Sequence, residues 1–369
     1  MFLLKITKLS KSSAIYFLLI FAPIAVVLEF VNAADHLVLF VISSLALIPL
    51  AKLIGDSTEH LSTHYGTTLG SLLNVTFGNA AELIIATVAI SAGLLDLVKA
   101  SITGAILGNI LLIFGLSILV GGFKYKEQFF NRENAGFQSS MLFLAIIGLA
   151  VPTILFSTAF ASVDVENQTN IQILSDALAF LLLAVYVAGI IFTFFTHRHL
   201  FVQAHSEEED GEQNHKHWTK KKSFLMLGLS MVGVIAVSEI LVGSVEETSE
   251  QFGFGELFVG AIIVGIVGNA AEHSSAVVLA RKGKIDLSIG IAAGSGTQIA
   301  LFVVPVLVII GIIMGQPFTL VFTLFEIAAV LLAAIILNLI AHDGKSNWFE
   351  GVMLTAVYII IALGFFFIN

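Results

Sequence analysis

The stretch Gly78–Glu82 reads Gly-Asn-Ala-Ala-Glu, and it recurs letter for letter at Gly268–Glu272, 190 positions later. Both copies lie deep within long apolar segments, so each brings a carboxylate to a place with no other charge nearby. An ionisable side chain in such a segment is costly to bury, and its default interpretation is functional. We therefore predict that Glu82 and Glu272 belong to a functional site within the apolar part of the fold.

The composition indicates a polytopic membrane protein. Apolar residues make up 57% of the chain and charged residues only 12%, which excludes an ordinary soluble domain. A membrane-spanning helix needs about 20 apolar residues, and continuously apolar segments favour helices over the alternating strands of a β-barrel. We predict about eleven spans, approximately at 14–31, 36–54, 66–93, 98–121, 138–158, 171–196, 223–248, 254–281, 286–313, 318–341 and 348–368.

The basic residues predict an orientation, because Lys and Arg concentrate in cytoplasmic loops. With the N-terminus in the cytoplasm, sixteen of the seventeen basic residues fall on the inner side, and Lys99 alone lies outside. The C-terminus is then outside. The inner set is Lys5, Lys8, Lys11, Lys52, Lys124, Lys126, Arg132, Arg198, Lys216, Lys220, Lys221, Lys222, Arg281, Lys282, Lys284 and Lys345.

The first 33 residues have a second interpretation. A basic start, an apolar run and Val31-Asn32-Ala33 resemble a signal peptide with its cleavage site. The apolar run is long for that purpose, and whether residues 1–33 are retained stays open. In either case Asp35 emerges outside, and the remaining helices keep their orientation.

The duplication extends well beyond the pentapeptide. Shifting residues 78–122 by 190 positions onto residues 268–312 needs no gap and gives thirteen identities. Each repeat contains five spans, so the two repeats must enter the membrane in opposite senses. Inverted repeats of this kind place a transport site near the middle of the bilayer. Outside the pentapeptide, the identical positions are Ala86, Val88, Gly93, Asp96, Leu97, Gly104, Leu111 and Gly121.

The duplication divides the chain into four parts. Residues 1–35 form an N-terminal transmembrane helix, and residues 36–196 form the first five-helix repeat. An acidic cytoplasmic linker follows at 197–222, and the second repeat spans 223–369. We therefore predict an all-α membrane protein with one additional helix and two inverted repeats.

The repeated motif favours a hard cation. Asn79 and Asn269 add amide oxygens to the two carboxylates, and the small Gly and Ala residues let helices approach closely. Ca²⁺ takes oxygen ligands in flexible geometry, whereas Zn²⁺ and Cu favour thiolate or imidazole. Two buried carboxylates also bind protons readily, because burial and mutual repulsion disfavour the doubly charged state. Ca²⁺ and H⁺ would compete for Glu82 and Glu272, which titrate as a coupled pair.

The stretch Leu72–Glu82, together with Gly268–His273 and Gly294–Gln298, resembles the calcium/proton antiporter (CAX) family of the cation/calcium exchanger superfamily. The resemblance covers essentially the whole chain, including Glu239–Val242 and the acidic linker. It implies an eleven-helix antiporter that removes cytosolic Ca²⁺ by means of the proton gradient. It also implies that the Ca²⁺ and proton ligands are Glu82 and Glu272, with the site lined or supported by Asn79, Asn269, Ser295 and Gln298.

The two half-sites are chemically unequal. On the repeat alignment Ala105 stands opposite Ser295, and Gly108 stands opposite Gln298. Asn109 is a candidate for the missing amide in the first half.

Other acidic residues have both a functional and a structural interpretation. Glu239 has Pro49 as its repeat counterpart, which favours a gating or proton-path role over a hydrogen bond within the bundle. Glu326 is a weaker candidate of the same kind. Four carboxylates at segment ends either face water or form an ion-attracting vestibule on each side; they are Asp56, Glu59, Glu246 and Glu247.

Two polar patterns predict little. His60 and His64 have a spacing of four residues but lack the HExxH pattern, which argues against a metal site. Asn74-Val75-Thr76 matches the glycosylation pattern, but it lies within a predicted membrane helix, where we expect it to be buried.

The linker at the midpoint is strongly acidic. Its structural interpretation is a solvated connector, and its functional interpretation is a low-affinity regulatory Ca²⁺ element without the spacing of an EF-hand. The residues concerned are Glu207, Glu208, Glu209, Asp210 and Glu212.

Alternative functions come from other classes of membrane protein. A sodium-coupled calcium exchanger would need further polar ligands around each motif, where this chain mostly has Ala, Ile and Val. An intramembrane enzyme or a channel fits the inverted motif less well. We expect Ca²⁺, H⁺ and the bilayer as partners, with a homo-oligomer left open, and no enzyme activity, cofactor or nucleic acid. The short, loop-poor chain suggests a prokaryotic inner membrane.

Overall fold

The computed structural model describes residues 15–159, 165–197, 200 and 218–368, and these residues are almost entirely helical. The first half begins with a 3₁₀ helix at Ile15–Ile20. Its α-helices are α1 (Phe21–Phe30), α2 (His36–Ser62), α3 (Gly66–Phe77), α4 (Ala80–Ser91), α5 (Leu95–Leu107), α6 (Phe114–Gly122), α7 (Arg132–Thr158) and α8 (Val165–Ile191), which continues as a π-helix at Phe192–Thr196. A π-helical segment at Gly108–Ile113 lies between helices α5 and α6.

The second half has the same character. Its α-helices are interrupted by π-helical segments at Val259–Val264 and Ile299–Val303. They are α9 (Lys220–Phe252), α10 (Glu256–Phe258), α11 (Gly265–Arg281), α12 (Ile285–Gln298), α13 (Val304–Met314), α14 (Leu324–Ala341) and α15 (Trp348–Phe367).

The predicted class of all-α polytopic membrane protein is confirmed. Among the described residues, eight helices are long and apolar enough to cross a membrane, or nine if one strongly bent pair counts as a single span. Ile15–Phe30 and Ala80–Ser91 are shorter apolar helices. The exact number of eleven spans therefore stays a prediction, as do the domain boundaries.

Polar side chains at helix N-termini fix where several spans begin. The Asp35 carboxylate accepts a hydrogen bond from Val38 N at 2.9 Å, and the Asn131 and Asn347 side chains accept bonds from backbone amides of α7 and α15. These oxygens satisfy amides that have no partner within the helix. The caps thus place the starts of long apolar helices at defined positions.

The third predicted span, 66–93, is not one helix. It breaks at Gly78 and Asn79, where Asn79 leaves the helical conformation with φ −97° and ψ 21°. The eighth span also bends, by 66° between Glu256–Ala270 and Glu272–Arg281. The first copy of the motif therefore lies at the break between α3 and α4, and the second lies at a bend within α11. Breaks and bends are where polar backbone groups become available within a membrane.

The two halves repeat their geometry at the same offset of 190 residues. The chain passes through the left-handed region at Gly93 (φ +79°) and again at Gly283 (φ +83°), a conformation that glycine adopts without steric cost. The following helices begin at Leu95 and Ile285. The π-helical segments Gly108–Ile113 and Ile299–Val303 also stand in equivalent places. The inverted sense of the two repeats stays a prediction.

The core brings the two halves into direct contact. Helix α2 packs against α9 more extensively than any other pair of described elements. Helix α5 crosses the segment Val259–Val264 so closely that a Cβ atom on Gly104 would lie 1.8 Å from the Ala261 carbonyl oxygen. Small residues allow such crossings in membrane proteins. The motif helices α4 and α11 likewise pack against helices of the opposite half, α4 against α9 and α11 against α2 and α5.

Two further contacts join distant parts of the chain. The short strands β1 (Gln128–Phe129) and β2 (Lys345–Ser346) pair antiparallel. At the beginning of the second half, Trp218 stacks on His60 with ring centroids 4.7 Å apart, and its carbonyl oxygen lies 2.8 Å from His64 Nε2. The two histidines thus hold the start of the second half against the end of the first long helix.

Candidate ion-binding site

The two copies of the motif face each other. A Cβ atom on Gly78 would lie 3.9 Å from Glu272 Oε1, and a Cβ atom on Gly268 would lie 3.7 Å from Glu82 Oε1. Each glycine therefore leaves room for the carboxylate of the other copy. The break before α4 and the bend within α11 bring each carboxylate close to the glycine of the opposite motif.

The buried asparagines of the motif also pair across the halves. Asn79 Nδ2 donates to Gln298 Oε1 at 2.8 Å, and Asn109 Nδ2 donates to Asn269 Oδ1 at 3.2 Å. Asn269 Nδ2 donates in turn to the Gly265 carbonyl oxygen at 3.0 Å. Asn109 thus occupies the role in the first half that Gln298 has in the second.

The two glutamates have different surroundings. The Ser295 hydroxyl donates a hydrogen bond to Glu272 Oε2. The repeat counterpart of Ser295 is Ala105, which has no hydroxyl, and Glu82 Oε2 is buried without a hydrogen-bond partner among the described residues. Glu272 is therefore held by a neighbour, whereas Glu82 keeps a free oxygen.

Glu82 borders a pocket between α4, α5 and α11. The pocket is lined by Ala86, Ser101, Ala105, Val264 and Asn269 among others. Apart from Glu82, Ser101 and Asn269, its walls are apolar. A small cation that enters it meets one carboxylate and one amide.

The donor set fits a hard cation as substrate. Oδ1 of Asn79, Oδ1 of Asn109 and Oε2 of Glu82 are buried oxygens that lack a hydrogen-bond partner within the described part of the chain. A buried oxygen without a partner is costly, and each of the three has the chemistry that a hard cation prefers. In the described residues, no group of three or more His, Cys, Asp or Glu side chains could hold a metal ion by itself.

Comparison with known proteins supports this interpretation. The family described as "Sodium/calcium exchanger protein" matches residues 35–195 and 222–367. The chain belongs to the sodium/calcium exchanger family. The two matched ranges together cover both halves and leave out the acidic linker.

Several similar proteins carry the name calcium/proton antiporter. A "Ca(2+)/H(+) antiporter" of Aphanothece halophytica is 44% identical over an alignment 369 positions long, which covers 97% of this chain and 98% of the relative. The "Ca(2+)/H(+) antiporter ChaA" of Bacillus subtilis (strain 168) is 42% identical over 95% of this chain and 99% of its own. The structure of native YfkE matches with a TM-score of 0.81 at 39% identity and covers 95% of this chain and 99% of the other. The predicted resemblance is confirmed.

Two buried-acid predictions have different outcomes in this family member. Glu326 caps its own helix: Thr323 N donates to Glu326 Oε2 at 2.8 Å and Thr103 Oγ1 donates to Oε1 at 3.2 Å. Glu239 is exposed on the surface of α9, and the structure does not decide between the two interpretations of it. Its gating role stays a prediction.

The acidic residues at the end of α2 are engaged differently. Asp56 is half-buried, and its carboxylate accepts a hydrogen bond from Tyr16 and pairs with Lys52 Nζ at 3.1 Å. Glu59 is exposed. Because Asp56 already has a cationic partner, it contributes less negative potential to a vestibule than the sequence suggests.

The acidic residues of α9 lie at the opposite end of the fold. Glu247 pairs with His36 at 2.8 Å, and Glu246 is exposed. The vestibule role of both stays a prediction. The regulatory linker residues Glu207, Glu208, Glu209, Asp210 and Glu212 lie outside the described residues.

The sequence did not assign a role to His273, although it follows the second motif directly. The ring is buried, and a Cβ atom on Gly108 would lie 3.8 Å from its Cε1 atom. The imidazole therefore fills space beside the residue that stands opposite Gln298. The available signal was that the first motif continues with Leu83 and only the second with His.

Proposed function

We propose that the chain exchanges cytosolic Ca²⁺ for H⁺ across a membrane by alternating access, with Glu82 and Glu272 binding either Ca²⁺ or protons. The two carboxylates, the paired asparagines and Gln298 form the site, and Ser295 supports Glu272. The observation that carries the proposal is the reciprocal placement of each glutamate against the glycine of the other motif.

The chemistry of competition follows from this placement. Ca²⁺ brings two positive charges and neutralises both carboxylates, and two protons do the same. With neither bound, two negative charges would be buried at short range, which is strongly unfavourable. If the site changes its access from one side of the membrane to the other only when Ca²⁺ or protons are bound, the fluxes of Ca²⁺ and H⁺ are coupled.

The relatives support the choice of ions. Two of them, at 44% and 42% identity over nearly the whole chain, are called Ca(2+)/H(+) antiporters. The asymmetry of basic residues supports a cytoplasmic N-terminus and an external C-terminus. We place the protein in a prokaryotic inner membrane.

Flux measurements in inside-out vesicles test the proposal. An imposed pH gradient, acidic inside, should drive uptake of radioactive calcium in the absence of sodium. A protonophore that collapses the gradient should stop it. Uptake that requires sodium would indicate a sodium-coupled exchanger, and rapid uptake without any gradient would indicate a channel; either result overturns the proposal.

A further inference from the structure

Asn74 lies one helical turn before Gly78 on α3. Gly78 N donates to the Asn74 carbonyl oxygen at 2.7 Å, and Gly78 keeps helical dihedral angles of −55° and −42°. Residues four apart on a helix share one face. Because Gly78 faces Glu272 Oε1, Asn74 lies on the same face, one turn away from that carboxylate.

The repeat counterpart of Asn74 is Val264, which has the equivalent position in the second half. It precedes Gly268 by four residues, and Gly268 faces Glu82. Val264, Gly268 and Glu82 line one pocket. The equivalence of the two halves thus assigns Asn74 to a second approach, the one that leads to Glu272.

The two positions differ in chemistry and in exposure. Val264 is 6% exposed and apolar, whereas the side chain of Asn74 is exposed. An amide that faces lipid within a membrane span is costly to desolvate, which favours a hydrated environment for Asn74. One approach to the site is therefore polar at this position, and the other is lined by a valine.

We propose that Asn74 binds the cation transiently as the cation moves toward Glu272. Its amide oxygen replaces a water molecule of the hydrated cation one turn before the carboxylate, as oxygen ligands of Ca²⁺ commonly do. Val264 excludes water at the equivalent point on the other approach. Since α3 follows a predicted cytoplasmic connection, Asn74 serves cytosolic Ca²⁺. This inference rests on the proposed exchange of Ca²⁺ for H⁺.

Substitution of each residue by its counterpart tests the proposal in proteoliposomes of both orientations. Asn74→Val should raise the calcium concentration for half-maximal transport at the cytoplasmic face about three- to tenfold, the effect of losing one polar contact. The maximal rate and the half-saturating concentration at the other face should stay unchanged. Val264→Asn should lower the half-saturating concentration at the other face.

Two variants control for general damage to α3. Thr76→Val removes an exposed hydroxyl that donates to the Leu72 carbonyl oxygen at 2.8 Å and points away from the face of Asn74; it should behave as wild type. Asn74→Asp keeps an oxygen ligand and should retain cytoplasmic affinity.

The possible results separate this inference from the proposed function. If wild-type protein transports calcium under a pH gradient but Asn74→Val has unchanged half-saturation, the role of Asn74 is wrong and the exchange stands. An equal change at both faces, or an equal effect of Thr76→Val, also overturns it. If the Asn74→Val protein does not fold, unchanged external affinity in Val264→Asn decides against the proposal.

Discussion

The two copies of the Gly-Asn-Ala-Ala-Glu motif are identical in sequence but differ in what surrounds them. Glu272 accepts a hydrogen bond from Ser295, whereas Glu82 keeps a buried free oxygen beside a pocket. The difference comes from the helices that follow each motif, since Ala105 stands where the second half has Ser295. Duplication therefore conserves the charged groups and varies the residues that hold them.

We propose that this difference gives the two carboxylates different roles. A hydrogen-bond donor fixes the orientation of its carboxylate. In this proposal Glu272 is held in place as an ion ligand, and Glu82 is the carboxylate that changes its orientation when an ion or a proton binds. The following experiments test that difference, beginning with the largest expected effect.

Removal of either charge should abolish exchange. Glu82→Gln and Glu272→Gln keep size and hydrogen bonding but remove a group that the proposed exchange requires for binding Ca²⁺ and protons, so pH-driven calcium uptake should fall to background in both. Glu→Asp at either position should only weaken transport, because the oxygens move by one methylene. Thermal unfolding in detergent should match wild type. Retained pH-driven uptake in either Gln variant would show that the site lies elsewhere.

The close helix crossing should tolerate an added methyl group in only one half. Gly104→Ala would place Cβ 1.8 Å from the Ala261 carbonyl oxygen, and the helices must separate, at a cost of about 1–3 kcal/mol or more. At the equivalent Gly294 the nearest atom is Gln138 Nε2 at 4.0 Å. We expect a lower melting temperature for Gly104→Ala and little change for Gly294→Ala; equal melting temperatures would contradict the crossing.

Exchange of the Ser295 hydroxyl between the halves should change calcium affinity moderately. Ser295→Ala removes the donor to Glu272, and we expect the half-saturating calcium concentration to rise about three- to tenfold. Ala105→Ser adds a hydroxyl beside the pocket of Glu82 and should partly restore affinity in the double variant. Isothermal titration with calcium in detergent measures both. An unchanged half-saturating calcium concentration in the Ser295→Ala variant would contradict the distinction between the two glutamates.

The last pair of variants concerns the two left-handed glycines, where the quantity compared is a difference between two melting temperatures. Gly93→Ala and Gly283→Ala each place a Cβ atom in the left-handed region, which costs about 1–2 kcal/mol. The added methyl group at Gly283 also meets Tyr125 Oη at 2.9 Å, whereas the space at Gly93 is open. Gly283→Ala should therefore melt at a lower temperature than Gly93→Ala. The reverse order would contradict the described turns.

Hydropathy and the repeat predicted much of the fold. Apolar length identified the helical segments, and the 190-residue offset, which places Gly108 opposite Gln298, made Asn109 the candidate for the missing amide in the first half. The break at Gly78 and Asn79 was not predicted, because the segment is apolar on both sides of it and hydropathy does not register a change in backbone direction. The cross-half pairing of Asn109 with Asn269 depends on helix packing, which no local pattern encodes.

Two further residues carried usable signals. Thr323 and Glu326 have the spacing of a capping box, a Thr followed three residues later by Glu, and that pattern predicts the observed helix cap, which agrees with the hydrogen-bonded interpretation of Glu326. Asn74 was expected to be buried as part of a glycosylation-like triplet, yet it is exposed. Its alignment with Val264 already showed a polar residue in one half and an apolar one in the other.

The contact of Trp218 with His60 has a spectroscopic consequence. The chain has only two tryptophans, and the other, Trp348, is at the start of α15. In Trp348→Phe protein, a single indole would report from the junction where the acidic linker ends and the second half begins. Because imidazole stacked on indole quenches its emission, fluorescence intensity would record in real time whether that junction stays closed while the protein turns over.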